Sequence, residues 1–328
     1  MNFFDRFRRE CQLQPQRVIF AEGNDERILQ AARFLKDNLI AEPVILGGNY
    51  EIRDLAEKCR VNTRGLTIVN SNNAVHAGPI IEKLYAEKKG LTRTQIELEL
   101  KNPQRFAIEK MRMGHADIVF AGNKSTMAKV GLSAIKYSGI NKVYRRVSSF
   151  YMMYSEQLKK QFCFADCSMN INPDPWQLSE IAVKTAENFE KITGDRARVA
   201  FLSFSTKGSA ADPKVDLIRN TLEIVHKEKP AMAADGELQF DAAIDPVVSA
   251  KKAPNGSLNG MANVFIFPSL NAANIGQKIA EQIGGFISVG PMLQGLNYPV
   301  HHLAKSCTAD GIINSVLLAS YMKIKNIH

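Results

Sequence analysis

The sequence predicts an α/β fold with mainly parallel sheets, and two observations support this class. Short apolar runs alternate with segments whose apolar residues recur every three or four positions, as is typical of strands and helices respectively. Several of the runs are followed at once by glycine or polar residues, as expected where a parallel strand leads into a helix. Helices cover both faces of such sheets. The predicted strands span residues 17–20, 43–46, 117–122, 198–204, 263–267 and 286–289.

The first strand, helix and strand illustrate the pattern. The run at residues 17–20 leads into a polar loop, and a helix is predicted to begin near Asn24 or Asp25, where a polar cap precedes acidic residues. The next strand, at residues 43–46, is stopped by two glycines. This order predicts a right-handed parallel crossover. The apolar face of the helix consists of Ile28, Ala32, Leu35 and Leu39.

Three later segments also have helical spacing, and they extend the alternation to the end of the chain. In parallel sheets, ligands bind in crevices beyond the carboxyl ends of the strands. We therefore expect functional residues in the loops that follow the predicted strands. The later helices are predicted at 178–192, 215–225 and 273–283, and the loops of interest follow Phe20, Phe120, Phe204, Phe267 and Val289.

The composition is that of a globular protein with one large domain or two medium ones, since 45% of the 328 residues are hydrophobic and 23% are charged. No apolar run of about 20 residues is present, as a membrane span would require. The start of the chain is charged and amphipathic, which argues against a secretion signal and favours the cytoplasm. The net charge of +9 fits nucleic acid or small anions, but no nucleic-acid-binding signature accompanies it.

The five cysteines do not form a regular pattern, which argues against a disulfide framework. Cys163 and Cys167 are spaced as a metal-binding pair can be, but no second pair follows at finger spacing. The sequence favours buried small hydrophobic residues at both positions.

Residues 205–209 read Ser-Thr-Lys-Gly-Ser and directly follow a predicted strand. Three hydroxyls, an ammonium group and a glycine that permits close backbone approach suit an anionic ligand. The spacing is not that of a Walker A loop. An ordinary polar turn explains the pattern equally well.

Three other loops carry polar residues with simpler explanations. Residues 235–241 contain three carboxylates suited to acid–base or metal chemistry, although a solvated turn is the stronger interpretation. Asn271 is predicted to cap the helix that follows it. His301 and His302 are adjacent, which disfavours a shared metal site, and both are predicted to be solvated. These residues alone indicate a cytoplasmic α/β enzyme that acts on a small anion.

The chain closely resembles the phosphotransacetylases, or phosphate acetyl/butyryl-transferases. Each matching stretch alone is weakly specific, but together they occur in family order across nearly the whole chain. The matching stretches are residues 20–27, 147–150, 164–167, 202–209, 235–243, 262–275 and 290–296.

The resemblance implies two three-layer α/β domains with mainly parallel sheets. The first comprises residues 1–146 and 298–328, and the second, residues 147–297, is inserted into it, with the active site in the cleft between them. The implied reaction converts acetyl-CoA and phosphate reversibly into acetyl phosphate and CoA. CoA is then a substrate, and no metal or prosthetic group is bound. A cytoplasmic homodimer is implied, with no nucleic-acid or membrane partner.

The resemblance also assigns roles to residues. Lys305, facing phosphate, and Asp310, near the thiol, are the implied catalytic residues. The implied substrate and CoA contacts are Ser205, Thr206, Lys207, Gly208, Ser209, Asn271, Asn274, Gln294 and Gly295.

At several positions the sequence differs from the family pattern. The family has serine, arginine and aspartate where this chain has Ala304, Lys305 and Gly311. Two further family arginines fall on Ala86 and on Leu132, or on Gly131 with a small shift. Lysine keeps the charge of arginine without its forked hydrogen bonding. Asp310 is a replacement base in this interpretation, and replacement charge is available from Lys124, Lys129 and Lys136.

Three alternatives follow from these differences. One is a non-catalytic family member that binds CoA or a phosphate ligand as a regulatory protein. Another is a phosphate butyryltransferase-like enzyme with a longer acyl group. A third, an oxidoreductase of similar two-domain architecture, is disfavoured because the nicotinamide fingerprint is missing.

Overall fold

The computed structural model describes residues 3–87 and 90–327. The chain forms two compact units, the first built from Met1–Lys142 and Leu296–Asn326 and the second from Val143–Gly295. Each unit contains one sheet with helices packed against it, so the predicted α/β class is confirmed. No helix in the described ranges combines the length and the apolar character that a membrane crossing requires.

The strands and helices are numbered separately along the chain. The strands are β1 (Gln16–Phe20), β2 (Ala41–Leu46), β3 (Thr67–Val69), β4 (Ile118–Ala121), β5 (Ser148–Ser155), β6 (Lys160–Ala165), β7 (Arg198–Leu202), β8 (Ala233–Leu238), β9 (Val264–Ile266), β10 (Ile287–Gln294) and β11 (Val300–His302). The helices are α1 (Phe3–Leu13), α2 (Glu26–Asp37), α3 (Asn49–Lys58), α4 (Ala74–Glu87), α5 (Arg93–Leu100), α6 (Pro103–Arg112), α7 (Met127–Ser133), α8 (Pro175–Thr193), α9 (Pro213–Glu228), α10 (Phe240–Ile244), α11 (Pro246–Lys252), α12 (Leu270–Gln282) and α13 (Ala309–Ile324).

The sheet of the first unit is parallel throughout, in the order β11-β4-β1-β2-β3. Val18 pairs with Ile118, and Val119 pairs with Val300, so the last segment of the chain adds the edge strand. Because these strands are parallel, the loops after β1, β4 and β11 lie at one edge of the sheet. α13 packs against α1 and α2 and covers this sheet with an almost entirely buried helix.

The sheet of the second unit has the order β10-β5-β6-β9-β7-β8. β6, β9, β7 and β8 are parallel, whereas β5 is antiparallel to both of its neighbours. Phe162, Phe164 and Phe265 pack together over this sheet, with ring centres 5.5–5.8 Å apart where they meet Phe265. The loops after β6, β7, β8 and β9 therefore share one edge.

The first predicted strand, helix and parallel strand are confirmed. Asp25 caps α2 by accepting a hydrogen bond from the backbone N–H of Arg27, and the helix buries Ile28, Ala32 and Leu35 as its spacing predicted. β1 and β2 then pair in parallel. The prediction for Leu39 is wrong, because α2 ends at Asp37 and Leu39 is 63% exposed.

Three further local predictions are wrong. Residues 235–238 belong to β8 rather than to a solvated turn, because buried ion pairs satisfy their carboxylates. Ser269, not Asn271, caps α12, since the helix begins two residues earlier than its polar pattern suggests. His301 and His302 are buried in β11, where the rings pack beside β4 instead of facing solvent.

Candidate functional site

Glu22 joins the loops that follow β1 and β4 in the first unit. Its carboxylate accepts hydrogen bonds from the backbone N–H groups of Gly122 (3.0 Å) and Lys124 (2.8 Å), and from the Ser125 hydroxyl. Burial by itself raises the pKa of Glu22, but these bonds, with one from Gln104, outweigh it and hold the pKa below its ordinary value. The loop after β4 is thus folded around an anion that the chain itself supplies.

Asp25 and Arg27 connect the start of α2 to the loop after β11. The Asp25 carboxylate accepts a forked contact from the Arg27 guanidinium, at 3.0 and 2.7 Å. The remaining Nη1 of Arg27 donates to the carbonyl oxygens of Lys305 and Cys307, both at 2.7 Å. Arg27 therefore fixes the backbone at Lys305, while the Lys305 side chain stays exposed.

Gly122 allows the end of β11 to approach the end of β4. Its φ is +116°, and a Cβ atom there would lie 2.3 Å from Cδ2 of His302 and 2.8 Å from the carbonyl oxygen of Leu303. Burial lowers the pKa of His302 to about 4, although the carboxylate of Glu22 opposes the shift. His302 is therefore neutral at pH 7 and lies between the two loops that carry Glu22 and Lys305.

In the second unit, the predicted anion-binding loop surrounds Glu237. The Ser205 hydroxyl and the Gly208 N–H donate to Oε1 of Glu237 at 2.9 and 2.7 Å, and Nε of Arg219 donates to Oε2 at 3.1 Å. Burial acts to raise the pKa of Glu237, but the hydrogen bonds, led by that from Arg219, lower it to about 2. These donors are therefore engaged by a carboxylate of the same unit.

Lys207, Thr206 and Ser209 complete this loop. Lys207 forms an ion pair with Asp235 and donates to the carbonyl of Gly236 at 3.0 Å. The Thr206 hydroxyl accepts from the Gln239 N–H at 2.9 Å, and the Thr206 N–H donates to the Ser209 hydroxyl at 3.0 Å. The five predicted residues thus form one rigid turn, with Lys207 and Ser209 at its exposed side.

Asn271 and Asn274 lie in the first turns of α12. Asn271 is exposed, whereas Nδ2 of Asn274 donates to the carbonyl oxygen of Cys167 at 3.2 Å and links the loops after β6 and β9. Cys163 and Cys167 are buried, and burial raises the pKa of both thiols, as predicted for small hydrophobic residues. Among the described residues, no cluster of three or more histidine, cysteine or acidic side chains is placed to bind a metal ion.

Gln294 lies at the end of β10, and its amide is fully used within the second unit. Nε2 donates to the hydroxyls of Ser148 and Thr185, both at 2.9 Å, and Oε1 accepts from Asn188 at 2.8 Å. Gly295 follows with a φ of +89°, and a Cβ atom there would lie 2.3 Å from the carbonyl oxygen of Arg146. The geometry gives Gln294 an anchoring contact and makes glycine necessary at 295.

The sequence pattern of the phosphate acetyl/butaryl transferase family matches residues 2–320 and therefore runs through both units. The chain belongs to this family. It is 36% identical to the phosphate acetyltransferase of Bacillus subtilis over 93% of this chain and 94% of that protein. It is 33% identical to the phosphate acetyltransferase of Paracoccus denitrificans, covering 98% and 99% of the two chains. A phosphotransacetylase structure from Streptococcus pyogenes superposes with a TM-score of 0.88 at 36% identity, covering 98% of each chain.

The residues that were expected to differ from the family pattern are at least partly exposed in the first unit. Lys305 is exposed and Ala304 half-buried, in the loop held by Arg27. Asp310 is exposed in the first turn of α13, which Thr308 caps, and Gly311 follows it. The other two are exposed side chains on helices: Ala86 on α4 and Leu132 on α7.

Sequence reasoning missed two groups that organise these loops. Glu237 was placed in a solvated turn, and Arg27 was assigned no role, yet each makes several of the contacts that shape a predicted site loop. The signal for Arg27 was present, because an arginine two residues after a capping aspartate can form a fork with it. The partners of Glu237 are 18–32 residues distant along the chain, and no local pattern indicates them.

Proposed function

We propose that the protein catalyses reversible transfer of an acetyl group between CoA and inorganic phosphate. The observation that carries the proposal is the match to the family pattern over residues 2–320, together with the placement of the family's loops at the carboxyl edges of both sheets. Phosphate acetyltransferase is the name of both relatives described above, and the chain covers more than nine-tenths of each.

In the direction of acetyl-CoA synthesis, the thiol of CoA loses its proton and attacks the carbonyl carbon of acetyl phosphate. The bond between that carbon and the bridging oxygen breaks, and phosphate leaves with the electron pair. A base is needed because a free thiol has a pKa of about 8.5 and is mostly protonated at neutral pH. We propose that Asp310 is the base that accepts the thiol proton and that Lys305 is the cation that binds the phosphate. Both side chains are exposed in the first unit.

The loops of the second unit support the binding role predicted for residues 205–209. Their internal hydrogen bonds to Glu237 and Gln239 fix the turn in advance, which lowers the cost of ordering it around a ligand. Lys207 and Ser209 are the exposed members of the turn placed to contact CoA or phosphate, although Lys207 also pairs with Asp235, whereas Ser205 supports the turn from within. We propose the same supporting role for Gln294 and an exposed contact for Asn271.

Release of free thiol from acetyl-CoA, measured as a function of phosphate concentration, tests the proposal. We expect Lys305→Ala to raise the KM for phosphate by about 10- to 100-fold, the value of one charge-assisted contact. Lys305→Arg, which restores the forked donor, is expected to lower it. Lys323→Ala, on the last turn of α13, is the matched control and should leave both kcat and the KM for phosphate unchanged. Thiol release no faster than in buffer rejects the proposal.

A second experiment restores the carboxylate of the family pattern. A Cβ atom at Gly311 would meet nothing closer than 3.4 Å, the distance to the hydroxyl of Thr308, so Gly311→Asp is expected to fold normally. We expect the substitution to raise kcat if the position of the base limits turnover. Titration calorimetry with CoA separates the alternatives, since CoA binding without turnover in either protein supports a regulatory role. Parallel assays with acetyl-CoA and butyryl-CoA identify the acyl group.

We also propose a cytoplasmic homodimer in which the two compact units correspond to the domains predicted at 1–146 with 298–328 and at 147–297. Support for a dimer comes from α12, where Ile275 and Ile279, one turn apart, are each more than half exposed. Size-exclusion chromatography with light scattering measures the mass. We expect a dimer for the native protein and a shift towards monomer for Ile279→Glu; a native monomer contradicts this part of the proposal.

A further inference from the structure

The first unit contains a cavity of about 730 Å³ on the side of its sheet away from the site loops. Its walls are the last turns of α2 and the loop that joins α3 to β3. α2 leads from the carboxyl end of β1 back to the start of β2, and the other wall leads into β3. The cavity therefore lies at the amino edge of the sheet, opposite the edge that carries Glu22 and Lys305.

Basic side chains dominate this cavity. Arg60 and Arg64 are exposed at its rim, and neither side chain pairs with an acid among the described residues. Arg33 supports the wall, because it pairs with Asp37 and donates to the carbonyl oxygen of Arg64 at 2.8 Å. The C-termini of α2 and α3 add partial negative charge of about half a unit each, which reduces but does not cancel the surplus.

An aromatic ring lies within the same basic surface. Phe34 lines the cavity and is 36% exposed. The Arg8 guanidinium lies 5.9 Å from the centre of the Phe34 ring, which adds a further cation near the rim. Nε of Arg8 is buried without a hydrogen-bond partner in the described part of the chain. The cavity thus offers a flat apolar surface with cations around it.

The backbone at Arg60 shows how the rim of the cavity is built. Arg60 follows the C-cap of α3 with a φ of +57°, a left-handed conformation in which glycine is preferred. An arginine there costs stability that glycine would not. The conformation has a local reason, because the N–H groups of Arg60 and Val61 donate to the carbonyl oxygens of Glu57 (3.1 Å) and Ala56 (2.8 Å) and so end α3. The same turn places the Arg60 side chain at the rim of the cavity.

We propose that this cavity binds a nucleoside diphosphate, with its base on Phe34 and its phosphates on Arg60 and Arg64. The guanidinium fork matches phosphate oxygens, and an aromatic face stacks on a nucleobase. The volume lies in the range of small-ligand sites, about 300–1,000 Å³. Inorganic diphosphate can bind the same arginines but has no base to stack on the Phe34 ring. A comparison of the two ligands therefore distinguishes a nucleotide site from a diphosphate site.

Titration calorimetry on the full chain with ADP, pyrophosphate and adenosine tests the proposal. We expect ADP to bind more tightly than pyrophosphate, and adenosine to bind least. Arg64→Gln and Arg60→Gly should each weaken ADP binding by about tenfold, the loss of one charge-assisted contact. Phe34→Leu should weaken ADP binding but not pyrophosphate binding. Equal affinities of ADP and pyrophosphate would overturn the assignment of the base to Phe34.

Arg60→Gly also separates binding from folding. Glycine relieves the left-handed backbone, so this variant should have a higher Tm than the native protein while binding ADP less tightly. Leu39→Gly is the matched control, since Leu39 follows the C-cap of α2 with the same φ of +57° and does not line the cavity. It should raise the Tm and leave ADP affinity unchanged.

ADP binding that is unchanged in the double variant Arg60→Gly/Arg64→Gln overturns the proposal and places the nucleotide elsewhere, such as the expected CoA site. Thiol release by the same variant should match that of the native protein, because the cavity is at the opposite edge from Lys305. The binding measurement does not depend on acetyl transfer. Failure of the proposed activity would therefore be distinguishable from failure of this inference.

Discussion

Glu237 should contribute measurably to the stability of the second unit, and Glu237→Gln tests this. Glutamine has nearly the same size and keeps one acceptor oxygen, but it removes the negative charge. In the native protein the carboxylate accepts hydrogen bonds from the Ser205 hydroxyl at 2.9 Å, the Gly208 N–H at 2.7 Å and the Arg219 Nε at 3.1 Å. The new amide group would also point a donor at a site that already contains only donors.

The structure supports two estimates of the effect. The pKa of Glu237 falls from 4.5 to about 2, and a shift of that size corresponds to an upper limit of about 3 kcal/mol. Arg219 is 41% exposed and can be solvated after the substitution, which reduces the loss. We therefore expect Glu237→Gln to lower the free energy of unfolding by about 2 kcal/mol at pH 7.

Denaturant unfolding at pH 7 and pH 4 provides the measurement. Trp176, the only tryptophan in the sequence, lies in α8 of the second unit, and its fluorescence reports that unit while circular dichroism reports the whole chain. A carboxylate with a lowered pKa stabilises the fold above its unfolded pKa and loses that contribution as pH falls towards the folded value. The difference between native and variant protein should therefore be smaller by about 1 kcal/mol at pH 4.

Asp241→Asn is the matched control. Asp241 lies four residues later, pairs with Lys252 at 2.6 Å and is 50% exposed, so its removal should cost about 0.5 kcal/mol or less. An unfolding free energy for Glu237→Gln equal to that of the native protein at pH 7 would refute the reasoning. A difference that stays constant from pH 7 to pH 4 would refute the electrostatic part of it.

Three further changes test the first unit. Gly122→Ala should destabilise it by about 2–4 kcal/mol in a denaturant titration, because the added Cβ meets His302 and the backbone at a φ of +116°; a loss below 1 kcal/mol would contradict the close approach. His302→Leu should make the stability of the first unit less sensitive to acid, since burial lowers the pKa of His302 from 6.5 to about 4 and this costs about 3 kcal/mol of unfolding free energy as pH falls between those values. An unchanged pH profile of Tm would count against it. Asp310→Asn should lower kcat by about 100-fold at constant KM for phosphate, and full activity would remove Asp310 as the base.

The fold was largely predictable because its signals are local. The spacing of Ile28, Ala32 and Leu35 and the cap at Asp25 define α2 without reference to the rest of the chain. Apolar runs gave the central strands of both sheets, where side chains are buried on both faces. The antiparallel placement of β5 depends on its contacts with β6 and β10, and local spacing does not encode it.

The wrong predictions for residues 235–238 and for the two histidines of β11 share one physical cause, namely that charged or polar residues were assumed to face water. Asp235 and Glu237 lie in a strand because Lys207 and Arg219 pair with them inside the second unit. The sequence shows the charges but not the pairing. A buried carboxylate is stable only with such partners, so its environment becomes predictable once the fold is known.

The candidate site was predictable as a set of loops but not as a set of contacts. Lys305 is exposed beside a loop that Arg27 holds, and the Ser205–Ser209 turn is built as a cradle for an anion. The sequence suggested an external ligand for that turn, whereas in the structure Ser205 and Gly208 donate hydrogen bonds to Glu237. Which donors then contact substrate depends on the exposed members of the turn, Lys207 and Ser209.

Phosphorus NMR of the native protein with acetyl-CoA and inorganic phosphate tests acetyl transfer most directly, since it detects the new acyl–phosphate bond itself. We predict that a resonance of acetyl phosphate grows as that of free phosphate declines, and that added CoA reverses the change. A folded protein that binds CoA but produces no acetyl phosphate would contradict the assignment and favour a ligand-binding member of the family.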